Sequence, residues 1–110
     1  MKTLRLKSTE KEDIKKAAEI LKNGGLAAIP TETVYGLAAN ALDPVAVGKI
    51  FAAKGRPQDN PLIVHVASLD AIPPLVKKVD PRMLKLAERF WPGPLTIISE
   101  RSEIVPDAVT

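Results

Sequence analysis

One short stretch of the chain combines cations, prolines and an amide in a pattern that suits anion binding. Residues 54–62 read KGRPQDNPL, and the apolar segment 63–66 that follows contains His65, the only histidine in the sequence. Lysine and arginine side chains bind phosphates and carboxylates, and arginine can do so through two parallel hydrogen bonds. The two prolines restrict the backbone around these cations. The stretch therefore predicts a site for a ligand that carries phosphate or carboxylate groups.

The same residues also have a structural explanation. Lys54 and Arg56 could form the solvated end of a helix, because cations favour the carboxyl terminus of a helix. The neighbouring prolines favour a rigid binding loop instead, since a loop that only connects two elements has little need of such stiffness. A lone histidine on an apolar strand is more often a core residue than a ligand. Alternation along the strand places His65 on the face opposite its valine neighbours, which leaves a pocket-facing position open.

A second candidate is the segment 30–37, PTETVYGL, which directly follows a short apolar run. It is either a turn rich in hydroxyl groups or part of the lining of a pocket. Open α/β sheets usually bind ligands at the ends of their buried strands, which is where these hydroxyl and N–H groups lie. A third segment, WPGPL at 91–95, is most simply a stiff turn with a structural role. The sequence contains no glycine-rich phosphate loop, metal-binding cluster or nucleophile–base triad.

Capping residues and apolar spacing predict helices that begin at Thr9, Asp43, Ser68 and Asp80. Thr9 and Glu12 form a capping box, and the Asn-Gly-Gly sequence at 23–25 ends the first helix. Both aspartates are followed by proline, which is common at the first helical position. The second helix ends at Lys54-Gly55 with its large apolar side chains inward. Two prolines at 73–74 interrupt or shorten the third.

Four short segments are predicted as strands. Residues 3–6 alternate and fit an edge strand, whereas 26–29, 62–66 and 95–98 are largely apolar and fit buried strands. Strands that alternate with helices predict an α/β fold in which helices cover a sheet.

Composition restricts the chain to one globular domain. Its 110 residues are 45% hydrophobic and 26% charged, and the net charge of +3 suits anionic small molecules without demanding nucleic acid or an anionic membrane. The lack of cysteine excludes disulfides and thiolate metal sites and favours a reducing compartment. No apolar run suggests a signal peptide or approaches the ~20 residues of a membrane span. We therefore expect a soluble cytoplasmic domain with no membrane contact.

The three motifs together resemble those of a known family. PTETVYGL at 30–37, KGRP…NPL at 54–62 and WPGPLT at 91–96 occur in the order and at the spacing found in the YrdC-like family, the threonylcarbamoyl-AMP synthases. Each motif alone is a weak indication, but the combination is specific. The resemblance extends from the first helix to Thr110.

The resemblance implies both a fold and a reaction. Members of this family have a twisted mixed α/β sheet, flanked by helices, around a large positively charged cavity. They join L-threonine, bicarbonate and ATP into threonylcarbamoyl-adenylate and release pyrophosphate, and Mg²⁺ is expected with the nucleotide. The product feeds a downstream transferase complex that makes threonylcarbamoyladenosine (t6A) beside the anticodon of tRNAs reading codons that begin with A.

The motifs carry the family's binding residues onto five positions of this chain. Thr33 and His65 would contact the threonine substrate. Arg56 and Asn60 would contact ATP, and Lys54 would add positive charge near its phosphates. No residue is assigned a catalytic role, and none is assigned as a metal ligand. Phosphorus-centred substitutions depend mainly on positioning and electrostatic stabilisation, so a covalent protein nucleophile is not required.

The length of the chain departs from the family pattern. Family domains continue past the position of Thr110 with a further arginine and a Ser-x-Asn motif that complete the nucleotide site. Residues 1–110 are therefore expected to be the amino-terminal portion of a YrdC-like domain. A truncated chain of this kind is expected to be inactive alone and to associate with itself through uncovered surfaces.

Two other functions are compatible with the same fold. One is the carbamoyl-adenylate-forming domain of hydrogenase-maturation proteins, which the lack of zinc-finger cysteines disfavours. The other is an RNA-binding module, suggested by the basic isoelectric point. Aromatic residues make up only 4% of the chain, too few for base-stacking platforms, although RNA contact stays open. Threonine-dependent release of pyrophosphate separates the synthase from both alternatives.

Overall fold

The computed structural model describes residues 3–55 and 62–109. The chain divides into two compact units, Met1–Arg56 and Pro57–Thr110, and each is described by itself. Within the described ranges, three α-helices, a two-stranded sheet and three short 3₁₀-helices are present.

The first unit contains a β-hairpin between two helices. Its elements, in chain order, are α1 (Lys11–Lys22), β1 (Ala27–Ile29), β2 (Gly36–Ala38) and α2 (Pro44–Lys54). The strands are antiparallel, with Ala27 opposite Ala38 and Ile29 opposite Gly36. The hairpin loop is therefore residues 30–35, which is most of the PTETVYGL motif.

Local chemistry fixes the ends of the helices in this unit. Gly24, just after α1, has a φ of 87°, a backbone angle that residues with a Cβ rarely adopt. Asp43 caps α2, because its Oδ1 accepts hydrogen bonds from the backbone N–H groups of Val45 at 3.0 Å and Ala46 at 3.2 Å. The Lys49 ammonium donates to the Gly24 carbonyl at 2.8 Å and ties α2 to the turn after α1.

The two helices differ in burial. Val47, Ile50 and Phe51 of α2 are buried, as the sequence predicts. In contrast, α1 contains no buried residue, and Ile14 on its predicted apolar face is 54% exposed. The apolar residues of α1 therefore have the spacing of an amphipathic helix, but none of them is buried.

The second unit packs around α3 (Pro81–Phe90), with 3₁₀-helices at Leu69–Ala71, Pro73–Leu75 and Asp107–Val109. Met83 and Ala87 of α3 form a buried cluster with Ile72. Partly buried side chains surround this cluster: Leu69, Val76, Leu84, Trp91 and Ile97. The indole Nε1 of Trp91 also donates to the Leu95 carbonyl at 2.8 Å. These contacts confirm the structural role predicted for the WPGPL turn.

Backbone pairing in residues 62–109 links segments that are distant in sequence. Lys77 N–H donates to the Glu100 carbonyl at 2.9 Å, and Ser102 N–H donates to the Leu75 carbonyl at 2.8 Å. These bonds flank the antiparallel bridge between Val76 and Arg101. The segment 100–102 is thereby fixed against the turn that precedes α3.

The predicted α/β class is confirmed, but the prediction of individual strands was partly wrong. The structure has no strand at 3–6, 62–66 or 95–98, and β2 was not predicted. Side-chain burial does alternate along segments 62–66 and 95–98, as it would in strands. Val64 and Ile97 are half-buried, whereas Ile63 and Ile98 are exposed. A strand also needs a continuous ladder of backbone hydrogen bonds to a neighbour, and neither segment has one within the described ranges.

Four helix starts were predicted, of which two are confirmed and one is wrong. The fourth, Ser68, precedes the 3₁₀-helices Leu69–Ala71 and Pro73–Leu75 rather than an α-helix, in keeping with the prolines predicted to shorten it. Asp43 and Asp80 are N-caps whose carboxylates accept backbone hydrogen bonds. The Thr9 capping box is wrong, because α1 begins at Lys11 and its N-cap is Glu10, which makes no side-chain capping bond. The Asp13 carboxylate instead accepts from the backbone N–H of Lys7 at 2.8 Å.

No helix within residues 3–55 and 62–109 combines the length and apolar character needed to cross a membrane.

Candidate functional site

The hairpin loop between β1 and β2 carries Thr33, one of the two predicted threonine contacts. Every side chain from residue 31 to residue 35 is exposed. The hydroxyl of Thr31 donates to the Val34 carbonyl and accepts from the backbone N–H of Thr33 at 3.4 Å. The hydroxyl of Thr33 itself makes no hydrogen bond within the described ranges. The loop thus presents a free hydroxyl that can bind a ligand.

Thr31 was not predicted as a site residue. The signal for it is the Thr-x-Thr spacing after Pro30, because threonine hydroxyls commonly bond the backbone N–H two residues further along.

Lys54 is the last residue of α2. The following residue, Gly55, has a φ of 66°, and its N–H donates to the Phe51 carbonyl and closes the helix. Lys54 is exposed and has no hydrogen bond or ion pair with any other described residue. Its position at the negative end of the helix dipole is favourable for a cation. Helix stability alone therefore accounts for Lys54, and its ammonium group stays available to an anionic ligand.

His65 lies in the segment 62–66 and is exposed, so it is not a core residue. Its Nδ1 is 3.1 Å from the carbonyl oxygen of Ile63. Because a carbonyl oxygen can only accept a hydrogen bond, Nδ1 must carry the proton in this contact. The neutral ring then has Nε2 as an acceptor, which fits an ammonium or hydroxyl donor on a ligand.

The remaining two predicted residues, Arg56 and Asn60, lie outside the described residues. Thr33 and Lys54 belong to the first compact unit and His65 belongs to the second. The binding roles of all five residues stay predictions.

The largest electrostatic effect in the described ranges is at the start of α3. The Asp80 carboxylate accepts from the Arg82 guanidinium at 2.7 Å and from the Arg82 backbone N–H at 2.8 Å. The side-chain bonds, followed by the backbone bond, lower the pKa of Asp80 from 3.8 to about 2. The same pairing raises the pKa of Arg82. Each group satisfies the other, so this pair forms a helix cap rather than a binding site.

Other surface features do not include the predicted residues. Two surface depressions in the second unit are bordered by Lys77 and Glu100, and neither contains Thr33, Lys54 or His65. Among the residues that the structure describes, no group of three or more His, Asp or Glu side chains could hold a metal ion.

A family model for Sua5, YciO and YrdC, described as "Telomere recombination", matches residues 19–110. The chain belongs to this Sua5/YciO/YrdC family. The resemblance found in the three sequence motifs is thereby confirmed.

Curated members of the Sua5/YciO/YrdC family are similar over most of this chain. It is 54% identical over 101 residues to a threonylcarbamoyl-AMP synthase from Pyrococcus abyssi (strain GE5 / Orsay), a match that covers 92% of this chain and 30% of that protein. It is 50% identical over 91 residues to a threonylcarbamoyl-AMP synthase from Bacillus subtilis (strain 168), covering 83% of this chain and 26% of that protein.

A solved structure gives the same result for the fold. The crystal structure of P. abyssi Sua5 complexed with L-threonine matches with a TM-score of 0.87 and 53% identity, over 92% of this chain and 30% of that chain. This chain therefore has the fold of the part that it covers, and it spans less than a third of the length of these relatives.

Proposed function

We propose that this chain provides the threonine-binding residues and part of the nucleotide-binding residues of an L-threonylcarbamoyladenylate synthase. The observation that carries the proposal is the match to P. abyssi Sua5 complexed with L-threonine, at a TM-score of 0.87 and 53% identity. At this identity the backbone around Thr33 and His65 is expected to follow that of a protein that binds threonine. The free hydroxyl of Thr33 and the acceptor Nε2 of His65 support the same role.

In the proposed reaction the threonine amine and bicarbonate condense to a carbamate with loss of water, and a carbamate oxygen attacks the α-phosphorus of ATP. A new P–O bond forms, the bond between the α-phosphorus and the bridging oxygen breaks, and pyrophosphate leaves. Bicarbonate, the threonine carboxylate and the triphosphate are all anionic, so cations must offset their repulsion. Lys54 and Arg56 would supply this charge, and Asn60 would orient the nucleotide.

Mg²⁺ would accompany the nucleotide, since it is usually bound through substrate phosphates and one or two carboxylates. No carboxylate cluster in the described ranges provides a ligand set for it. We therefore assign no protein ligand to Mg²⁺ and no step that depends on one.

The proposed product indicates which reaction follows and in which compartment the chain acts. Threonylcarbamoyl-AMP would be consumed by a transferase complex that makes t6A in tRNA, and the chain would act in the cytoplasm, where ATP, threonine and tRNA are present. RNA contact by this chain is proposed only in connection with the transfer of the threonylcarbamoyl group to tRNA. The mild net charge of +3 is no argument for tight RNA binding on its own.

A chimera tests the function without requiring this chain to act alone. The 101 residues of the P. abyssi synthase that match this chain are replaced by the corresponding residues of this chain. Pyrophosphate release is measured with and without L-threonine and bicarbonate, beside the parent synthase and beside the 110-residue chain alone. We expect release by the chimera to require both substrates, and we expect none from the chain alone.

Three results are informative. Release from the folded chimera that is independent of threonine would contradict the synthase assignment and favour a carbamoyl-adenylate-forming reaction. No release from a chimera that still binds ATP and threonine would contradict the proposed function of this chain. Turnover by the 110-residue chain alone would contradict its predicted inactivity, and it would support the synthase assignment.

A further inference from the structure

Thr31, near the start of the hairpin loop, makes hydrogen bonds to two residues further along the loop. Its hydroxyl reaches the Val34 carbonyl and the Thr33 N–H. Its methyl group is near Gly36, because a Cβ added at Gly36 would lie 3.5 Å from it. Gly36 is the first residue of β2 and pairs with Ile29 at the end of β1. The Thr31 side chain thus bonds residues 33 and 34 of the loop and lies near the base of the hairpin.

The rest of the loop has little else to hold it. Val34 and Tyr35 are 73% and 76% exposed, so apolar packing does not fix their backbone. Within the described ranges, the hydrogen bonds of residues 31–35 are those of the Thr31 hydroxyl. The bond to the Thr33 N–H is long, at 3.4 Å, and the Thr31 hydroxyl also donates to the Val34 carbonyl.

From this geometry we propose that Thr31 is a positioning residue, whose hydroxyl orders residues 33–35 and so presents the Thr33 hydroxyl to the amino-acid substrate. The ordering of the loop is independent of function, whereas the identity of the ligand rests on the proposed synthase function. A preorganised loop binds more tightly because less conformational entropy is lost when the ligand arrives. Thr31 acts through Thr33, and no contact of Thr31 with substrate is required.

Two substitutions separate the hydroxyl from the methyl group. Thr31→Val keeps the shape of the side chain and removes the hydroxyl, whereas Thr31→Ser keeps the hydroxyl and removes the methyl group. Thr9→Val is the matched control, because Thr9 is an exposed threonine of the same unit without a side-chain hydrogen bond in the described ranges. All of these positions are exposed, so the fold should persist, and circular dichroism checks this.

The first measurement reports on loop order without any ligand. Tyr35 is the only tyrosine of the chain, so 3-fluorotyrosine labelling gives a single ¹⁹F resonance from the loop. We expect Thr31→Val to move this resonance towards its position in the unfolded chain, while Thr31→Ser and Thr9→Val leave it close to that of the unsubstituted chain. An unchanged resonance in Thr31→Val would overturn the proposal.

The second measurement is threonine affinity, determined by calorimetric titration of L-threonine into the chimera that carries each substitution. We expect Thr31→Val to weaken binding by about three- to tenfold, the range of one net hydrogen bond, and Thr31→Ser to stay within about twofold. Equal affinities in Thr31→Val and Thr9→Val would overturn the positioning role. If the chimera with unsubstituted Thr31 binds no threonine, the proposed function fails, and the ¹⁹F comparison still decides whether Thr31 orders the loop.

Discussion

At the scale of single residues, exposed cations on this chain are not equivalent. Arg101 donates through Nη1 to the Val105 carbonyl at 2.6 Å and through Nη2 to the Asp107 carboxylate. It therefore holds the carboxyl-terminal segment in place, and its removal would change the fold as well as the charge. Arg5 is also exposed, and it has no hydrogen bond or ion pair in the described ranges. Arg5 is thus the better reference for loss of charge alone.

Arg56→Ala, made in the chimera, should weaken ATP binding by about tenfold or more. A charge-assisted contact to phosphate contributes roughly 1.5–3 kcal/mol, whereas a solvated surface cation contributes little. Isothermal titration calorimetry compares Arg56→Ala with Arg5→Ala. Equal ATP affinities in the two variants would rule out the role assigned to Arg56.

The ring of His65 should be the Nδ1–H tautomer when it is neutral, because Nδ1 donates to the Ile63 carbonyl. As the only histidine in the chain, it gives one unambiguous set of ring ¹⁵N signals. We expect Nδ1 to show the shift of a protonated nitrogen and Nε2 that of an unprotonated one. The opposite pattern would show that the contact with Ile63 does not set the proton position.

Loss of the His65 ring should weaken threonine binding in the chimera and leave ATP binding largely intact, and Thr33→Val should do the same. A polar group left without its partner in a binding site costs affinity for that ligand alone. Ile63→Ala is the control, because it truncates an exposed side chain two residues away. Unchanged threonine affinity in His65→Ala would remove His65 from the site.

At the scale of elements, the two helices of the first unit have very different N-caps. Asp43 bonds two N–H groups of α2, whereas Glu10 at the start of α1 bonds none. Asp43→Ala should therefore lower the free energy of unfolding by about 1 kcal/mol, and Glu10→Ala should leave it almost unchanged. Urea denaturation of both variants measures the difference. Equal decreases in the free energy of unfolding would show that the two hydrogen bonds of Asp43 make no net contribution to stability.

The cap of α3 should make stability depend on pH in the acid range. The pKa of Asp80 is lowered from 3.8 to about 2 in the folded chain, so the folded state favours the ionised carboxylate. Its stabilising contribution is fully present above the unfolded value of 3.8 and is lost as the pH falls towards 2. The Tm difference between the unsubstituted chain and Asp80→Asn should shrink over this interval.

Asp70→Asn is the control for the acid titration, since Asp70 is exposed and has no arginine bonded to it in the described ranges. Its Tm difference should stay small at every pH. A difference for Asp80→Asn that is constant down to pH 2 would contradict the role of the pairing with Arg82.

The elements that the sequence predicts well are those defined by local chemistry. Asp-Pro pairs start α2 and α3, and glycines end α1 and α2, because caps depend on residues within one turn. Strand assignments failed at 62–66 and 95–98, because pairing depends on distant backbone that an apolar run does not specify. β2 was missed for the same reason, since its only partner in the described ranges is β1.

The candidate site could be predicted only as far as its motifs extend. The exposure of His65, its bond to Ile63 and the role of Thr31 each depend on backbone geometry that residue types alone do not give. The sequence did single out the segment 30–37, most of which forms the hairpin loop, and the end of α2, because hydroxyl-rich and cation-rich segments differ in composition from the elements around them.

At the scale of the whole chain, large apolar side chains are exposed on several elements. Ile98 is 95% exposed, Tyr35 76% and Val34 73%. Fully burying an isoleucine side chain contributes roughly 1.5–3 kcal/mol, so such residues favour association with another apolar surface. The expectation that the isolated chain associates with itself therefore has a specific residue at which it can be tested.

Replacing Ile98 by lysine should reduce self-association of the 110-residue chain, measured by size-exclusion chromatography with light scattering over a wide concentration range. Thr96→Lys is the matched control, because Thr96 is exposed two residues away and the substitution adds the same charge. Apolar association persists or strengthens in high salt, whereas association through surface charges weakens. We expect oligomers of the unsubstituted chain and of Thr96→Lys at high salt, and fewer of Ile98→Lys. A chain that is monomeric at every concentration, or equal effects of the two lysines, would contradict association through the apolar surface at Ile98.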